Sequence, residues 1–127
     1  MKRSLVAILL ALVAFGVPAL AHHSFDAEYD TNKVTNISGF VTKVDWQNPH
    51  AFVYIDAADP GGAVKSFRVE MGPPYALVRG GWKKDTVRIG DKVTVEGAAL
   101  AKDGSNAAGS MPTTMMVLST GQKLVMR

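Results

Sequence analysis

The stretch "HAFVYIDAADPGGAVKSFRVEM", residues 50–71, decides the fold class of this chain. Ala51, Val53 and Ile55 alternate with His50, Phe52 and Tyr54, the period of two that sends successive side chains to opposite faces of a strand. "DPGG" (Asp59 to Gly62) is a turn by composition, with proline to set φ and glycine to allow the reversal. Beyond it Phe67, Val69 and Met71 share a face, while Lys65, Ser66, Arg68 and Glu70 are polar. Two such runs about one turn predict an antiparallel hairpin with a single apolar face.

Working outward, "ISGFVTKVDW" before the hairpin is strand-like from Ile37. Simple alternation puts Phe40, Val44 and Trp46 on one face and Ile37 and Val41 on the other. "QNP" turns the chain into His50. After the hairpin, "GPPYALVRGGW" predicts a short helix, with proline tolerated in its first turn and Gly80-Gly81 as the stop. A turn at Gly90-Asp91 leads into a strand with Val93 and Val95 inward, and "AKDGSNAAGS" reads as a polar loop. The end, "TTMMVLSTGQKLVMR", reads as strand, turn and strand. The expected class is therefore all-β with one short helix. Its five or six strands, with the helix between the third and fourth, match a small OB-like Greek-key barrel. Strand spacing alone also allows a small sandwich.

The N-terminus predicts export. Lys2 and Arg3 precede the unbroken apolar run Leu5 to Phe15, and Pro18 and the small-residue "ALA" then mark a cleavage site after Ala21. Eleven apolar residues fall short of the roughly 20 that a membrane-spanning helix needs. The expected organisation is a signal peptide over 1–21, an N-terminal arm over 22–36, and an OB-like domain over 37–127, periplasmic or secreted. Cleavage takes away two of the 14 Lys and Arg and none of the 11 Asp and Glu, leaving a charge near neutral. That balance argues against nucleic acid or an anionic membrane as partner. The chain has no cysteine, which excludes thiol nucleophiles, thiolate metal sites and disulfides.

The sequence contains no serine elbow and no His-Glu metalloprotease spacing, so the expectation is a binding module and not an enzyme. All three histidines lie in "HHS" and "NPH". Cleavage after Ala21 leaves His22 with a free amine, and amine and imidazole of one residue can chelate Cu(II), with His23 or His50 adding a further nitrogen. Nitrogen donors suit copper, which heads the divalent affinity order. The competing reading is a solvated terminus with His50 satisfied by a backbone hydrogen bond. Trp46, Asn48, Phe52, Tyr54 and Trp82 are the candidate wall for a small ligand or a second periplasmic protein bound without metal. Phe52 and Tyr54 also suit a plainer role, covering a second hydrophobic layer. The methionines of "SMPTTMM", Met111, Met115 and Met116, invite a soft-metal reading, but Met115 and Met116 point to opposite strand faces and are poorly placed to share one ion, so they read as core fillers.

The blocks "AHHSF", "NPH", "GW", "GDKVTVEG" and "AKDGS", in that order, resemble a family of small exported bacterial proteins catalogued as a domain of unknown function. The resemblance implies export and a small β-rich domain, and no activity. It implies shared positions at His22, His23, Trp46, Asn48, Pro49, His50, Trp82 and Asp103. The Met-rich C-terminal region departs from the pattern. In architecture the chain is also similar to periplasmic OB-fold copper chaperones, whose metal-binding strand carries alternating methionines; the equivalent strand here has only Met71.

Overall fold

The structure, a computed structural model, describes residues 24–127. The signal-peptide reading of 1–21 and the histidines His22 and His23 lie outside the described residues. Seven strands form one sheet: β1 (Tyr29–Asp45), β2 (Phe52–Ala58), β3 (Val64–Glu70), β4 (Lys92–Ala101), β5 (Ala107–Gly109), β6 (Met115–Val117) and β7 (Lys123–Val125). Among the described residues, helix is found over residues 24–28, α1, and over α2 (Pro74–Arg79) between β3 and β4.

The hairpin is as expected: β2 and β3 pair antiparallel, Phe52 opposite Glu70 and Ala58 opposite Val64. Its inner face buries Ala51, Val53, Ile55 and Val69. Pairing then runs β1–β2–β3–β5–β4 and returns from β4 to β1, a ring of five strands in which only β3–β5 is parallel. The all-β class and the helix after the third strand agree with the sequence reading. The β6–β7 hairpin extends the sheet from β4.

Three features depart from simple alternation. First, Val41 pairs with Ile55 and Lys43 with Tyr54, so Thr42 is an extra residue. This bulge returns Val44 and Trp46 to the core side, with Ile37 and Val41, and leaves Phe40 alone outside at 55% exposure. Second, β1 starts at Tyr29, so residues 29–36, expected in an N-terminal arm, belong to a strand instead, with Tyr29, Asp30, Val34 and Thr35 opposite β4. The register shifts twice there, between Asp30 and Val34 and between Thr35 and Ile37; at the second shift Gly97 has φ +77°, and its N–H donates to Asn36 Oδ1 at 3.0 Å. Third, Ala107–Gly109, expected within a loop, is the strand that closes the ring. Its small residues gave no strand signal, yet all three are buried.

The core fills the ring and its open end. Trp82 is its largest buried side chain, and its Nε1 donates to the Val125 carbonyl at 2.7 Å. Of the methionines expected to fill the core, Met116 is fully buried while Met111 and Met115 are half-buried; Met126 is also fully buried. Gly81, at φ +97°, ends α2 where an L side chain would be strained.

Candidate functional site

The site grows from the start of β2. Backbone pairing continues past the strand, with Ala51 N–H donating to Gly72 O at 3.2 Å and Met71 N–H to Ala51 O at 2.8 Å. His50 is thereby held beside the end of β3, and its outward side chain meets that of Glu70. His50 Nδ1 lies 2.7 Å from Glu70 Oε1, and the Tyr29 hydroxyl donates to Glu70 Oε2 at 2.7 Å. Glu70 is mostly buried and has both carboxylate oxygens engaged. Burial first, and then the bond to Glu70, push the Tyr29 hydroxyl far above its ordinary range, so it remains a donor. A carboxylate at Nδ1 fixes that nitrogen as the proton-bearing one in the neutral ring, leaving the Nε2 lone pair for a ligand.

Around this trio lies a cleft of about 450 Å³, lined by apolar Phe25, Pro49 and Phe52 together with Ser24, Glu28, His50, Glu70 and Arg127. Two of its rings carry a guanidinium: Arg68 sits 5.0 Å from the Phe52 centroid and Arg127 4.5 Å from that of Phe25. Arg68 also pairs with Glu28 at 3.1 Å, and Arg127 donates to the Ser110 carbonyl at 2.9 Å. The backbone of Gly109 lies close against the Phe25 and Tyr29 rings. A Cβ there would lie 2.6 Å from atoms of both Phe25 and Tyr29, so glycine is what lets the rings approach.

Of the residues expected at a site, the structure brings His50 and Phe52 to this cleft. Tyr54 lies further along the outer face of β2, half-buried, with Lys43 Nζ 5.1 Å from its ring. Trp46 is half-buried against the core, and Asn48 is exposed on the turn before the cleft. Trp82 does not fit a ligand wall, because it is 2% exposed inside the core. His50 is satisfied by a carboxylate and not by the backbone carbonyl of the competing reading. Among the described residues no three His, Cys, Asp or Glu side chains converge to hold a metal ion.

In the sequence Glu70 reads only as one of the polar residues of the second hairpin strand. Its signal was legible in the hairpin register, which sets Glu70 opposite Phe52 and so diagonal to His50. Tyr29, Phe25 and Arg127 had no such signal, because distant segments bring them in: Tyr29 lies opposite Ala101 of β4, Phe25 packs on Tyr29, and Arg127 follows Met126, whose carbonyl accepts from Gly72 N–H.

A family model described as "Family of unknown function (DUF6152)" matches residues 10–110. The chain belongs to this family. The match takes in both histidine blocks, Tyr29, Glu70 and the closing strand β5, and stops before β6 and β7. DUF6152 membership thus agrees with the resemblance read from the sequence blocks and with a Met-rich end outside the shared pattern. No curated protein and no solved structure matches the chain.

Proposed function

We propose that this DUF6152 member is an exported, non-catalytic binding module that holds a transition-metal ion at His50, with Cu(II) as the ion to test first. The observation that carries the reading is the His50–Glu70–Tyr29 chain. A metal-binding imidazole commonly gives its second nitrogen to a carboxylate, which fixes its tautomer and orientation and raises its basicity. His50 has this partner, and the partner is itself fixed by Tyr29. The remaining donors are those of His22 and His23. Ser24 lines the His50 cleft, and His23 precedes it directly in the sequence. Amine and imidazole nitrogens together favour Cu(II). Export is supported by the basic start, the short apolar run and the small-residue cleavage site. Among the described residues, no helix is long and apolar enough to cross a membrane.

The test is Cu(II) titration, followed by calorimetry and EPR, of a chain beginning at His22 and of its His50→Ala variant. Loss of one nitrogen from the EPR pattern and at least a tenfold weaker affinity in the variant is the expected result. Micromolar-or-weaker binding that ignores the substitution sinks the reading.

A second reading rests on the cleft's apolar lining, which suits a small organic ligand seated on Phe52 without metal. Phe52→Ala should then abolish retention of a small molecule from a periplasmic extract, read by native mass spectrometry. No retained mass in the wild-type protein counts against it.

A further inference from the structure

Residues 74–91, from α2 to the start of β4, lie on the core by one side and face solvent with the other. Leu77, Trp82 and Val87 are the inward members, at 1%, 2% and 5% exposure and all within the main core cluster. The outward members include three of the four most exposed large apolar side chains among the described residues: Tyr75 at 65%, Val78 at 56% and Ile89 at 74%. Tyr75 and Val78 are three positions apart on α2 and so share a side of it. The same residues carry Arg79, Lys83, Lys84 and Arg88 against Asp85 and Asp91. Both acids are engaged with Arg88: Asp85 Oδ2 lies 3.3 Å from its guanidinium, and Asp91 Oδ2 accepts from its N–H at 2.9 Å. Arg79, Lys83 and Lys84 are exposed and have no carboxylate within 4.0 Å among the described residues. Lys33, Lys43, Lys65, Arg68 and Lys123, elsewhere on the surface, each have one. The near-neutral balance of the whole chain therefore averages over a local excess of unpaired cations.

We propose that this outward face docks on an anionic phospholipid bilayer. Arg79, Lys83 and Lys84 meet the lipid phosphates, while Tyr75, Val78 and Ile89 enter among the headgroups. Both halves of the face then gain something that water does not give them: the cations are drawn to the negative surface, and the apolar side chains leave solvent. Tyrosine is a favoured residue at that depth, with an apolar ring and a polar tip, and the Arg79 guanidinium lies 5.7 Å from the Tyr75 centroid. A nucleic acid would match the cations and stack on Tyr75 but offers little apolar surface to Val78 and Ile89. A protein groove fits a continuous apolar stripe, whereas here the apolar positions are separate points among cations, on a six-residue helix and the loop after it. No element is long enough to span a bilayer, so the attachment is peripheral, reversible and sensitive to salt. The proposal is independent of the copper reading, since none of these six residues lines the His50 cleft.

The test measures partition of the chain beginning at His22 into phosphatidylcholine vesicles, with and without phosphatidylglycerol, by co-sedimentation at low and at high salt. Wild type should partition at least tenfold more strongly into the anionic vesicles, and high salt should abolish the preference by screening. Lys83→Glu with Lys84→Glu should weaken that partition at least tenfold. Lys33→Glu with Lys65→Glu, the same change in net charge elsewhere on the surface, should leave most of it. Ile89→Asp and Val78→Ser should each weaken it at least threefold at low salt. These are exposed positions, and melting temperatures equal to wild type confirm that each variant folds. Equal partition into the two vesicle types overturns the proposal, as does an equal loss from the two charge reversals. Full retention of binding in both Ile89→Asp and Val78→Ser shows attraction by charge alone and overturns the bilayer as the occupant. Tighter capture by polyglutamate or single-stranded DNA than by the anionic vesicles overturns it as well, and assigns the face to an acidic macromolecule.

Discussion

Glu70 concentrates the chemistry of this protein in one side chain. It accepts from Tyr29 on one oxygen and faces His50 Nδ1 with the other, and its backbone carbonyl accepts from both the N–H and the hydroxyl of Ser110. Replacing the carboxylate with an amide removes the charge that orients and polarises the imidazole. If the copper reading holds, Glu70→Gln should weaken Cu(II) binding by about 10- to 100-fold, measured by chelator competition; affinity equal to wild type would show that His50 needs no such partner. Tyr29 gives a prediction in pH. Its hydroxyl ionises near 10 in the unfolded chain, and burial in the folded one holds the proton to higher pH. Below pH 10 both states keep the proton and the contribution to stability is whole. Above it the unfolded chain releases the proton first, so stability falls as pH rises. Urea midpoints between pH 9 and 11 should decline more steeply in wild type than in Tyr29→Phe; parallel slopes would refute this. The residue scale was half legible. His50 and Phe52 could be placed from alternation, and Glu70 from the hairpin register. Phe25 and Tyr29 could not, because nothing local marks a residue whose partner is a glycine some 80 positions away.

At the level of elements, β5 decides the closure. It has three residues, no β-branched or aromatic side chain, and pairs on both flanks, parallel to β3 and antiparallel to β4. Small residues are needed there, since Ala108 is fully buried and Gly109 admits no Cβ, and the same smallness hid the strand from a reading based on β propensity. Ala108→Asp would bury a charge with no partner at the seam. It should destabilise the fold by about 3 kcal/mol or more in urea unfolding, whereas Lys102→Ala in the adjoining exposed loop should change it by less than about 0.5 kcal/mol. A small effect at Ala108 would mean that the ring does not depend on this strand. The bulge at Thr42 was hidden for a different reason. One inserted residue inverts the face assignment of everything after it, and no residue type in "FVTKV" announces the insertion. The long regular runs were readable because their pattern repeats; single-residue irregularities and a three-residue seam were not.

For the whole molecule, the copper reading ties function to processing, because the donor amine would come into being only when the leader is removed. A chain carrying one extra methionine before His22 should bind Cu(II) at least tenfold more weakly than one beginning at His22, at equal fold stability by thermal melting. Equal affinities would show that the amine is not a ligand. The sheet order carries a separate consequence, in time and not in energy. The pair β3–β5 joins residues 68–70 to 107–109, and Leu124 and Met126 from the last segment are buried in the core that the first strands line. A chain made from its N-terminus can form the β2–β3 hairpin early, but it cannot complete the core until its final residues are available. Folding dominated by such distant pairings belongs to the slower range of small domains, about milliseconds to seconds. Until then the inner faces of β2 and β3 stay open to water and to other chains, so completion of the last few residues sets the moment at which the protein becomes safe from aggregation.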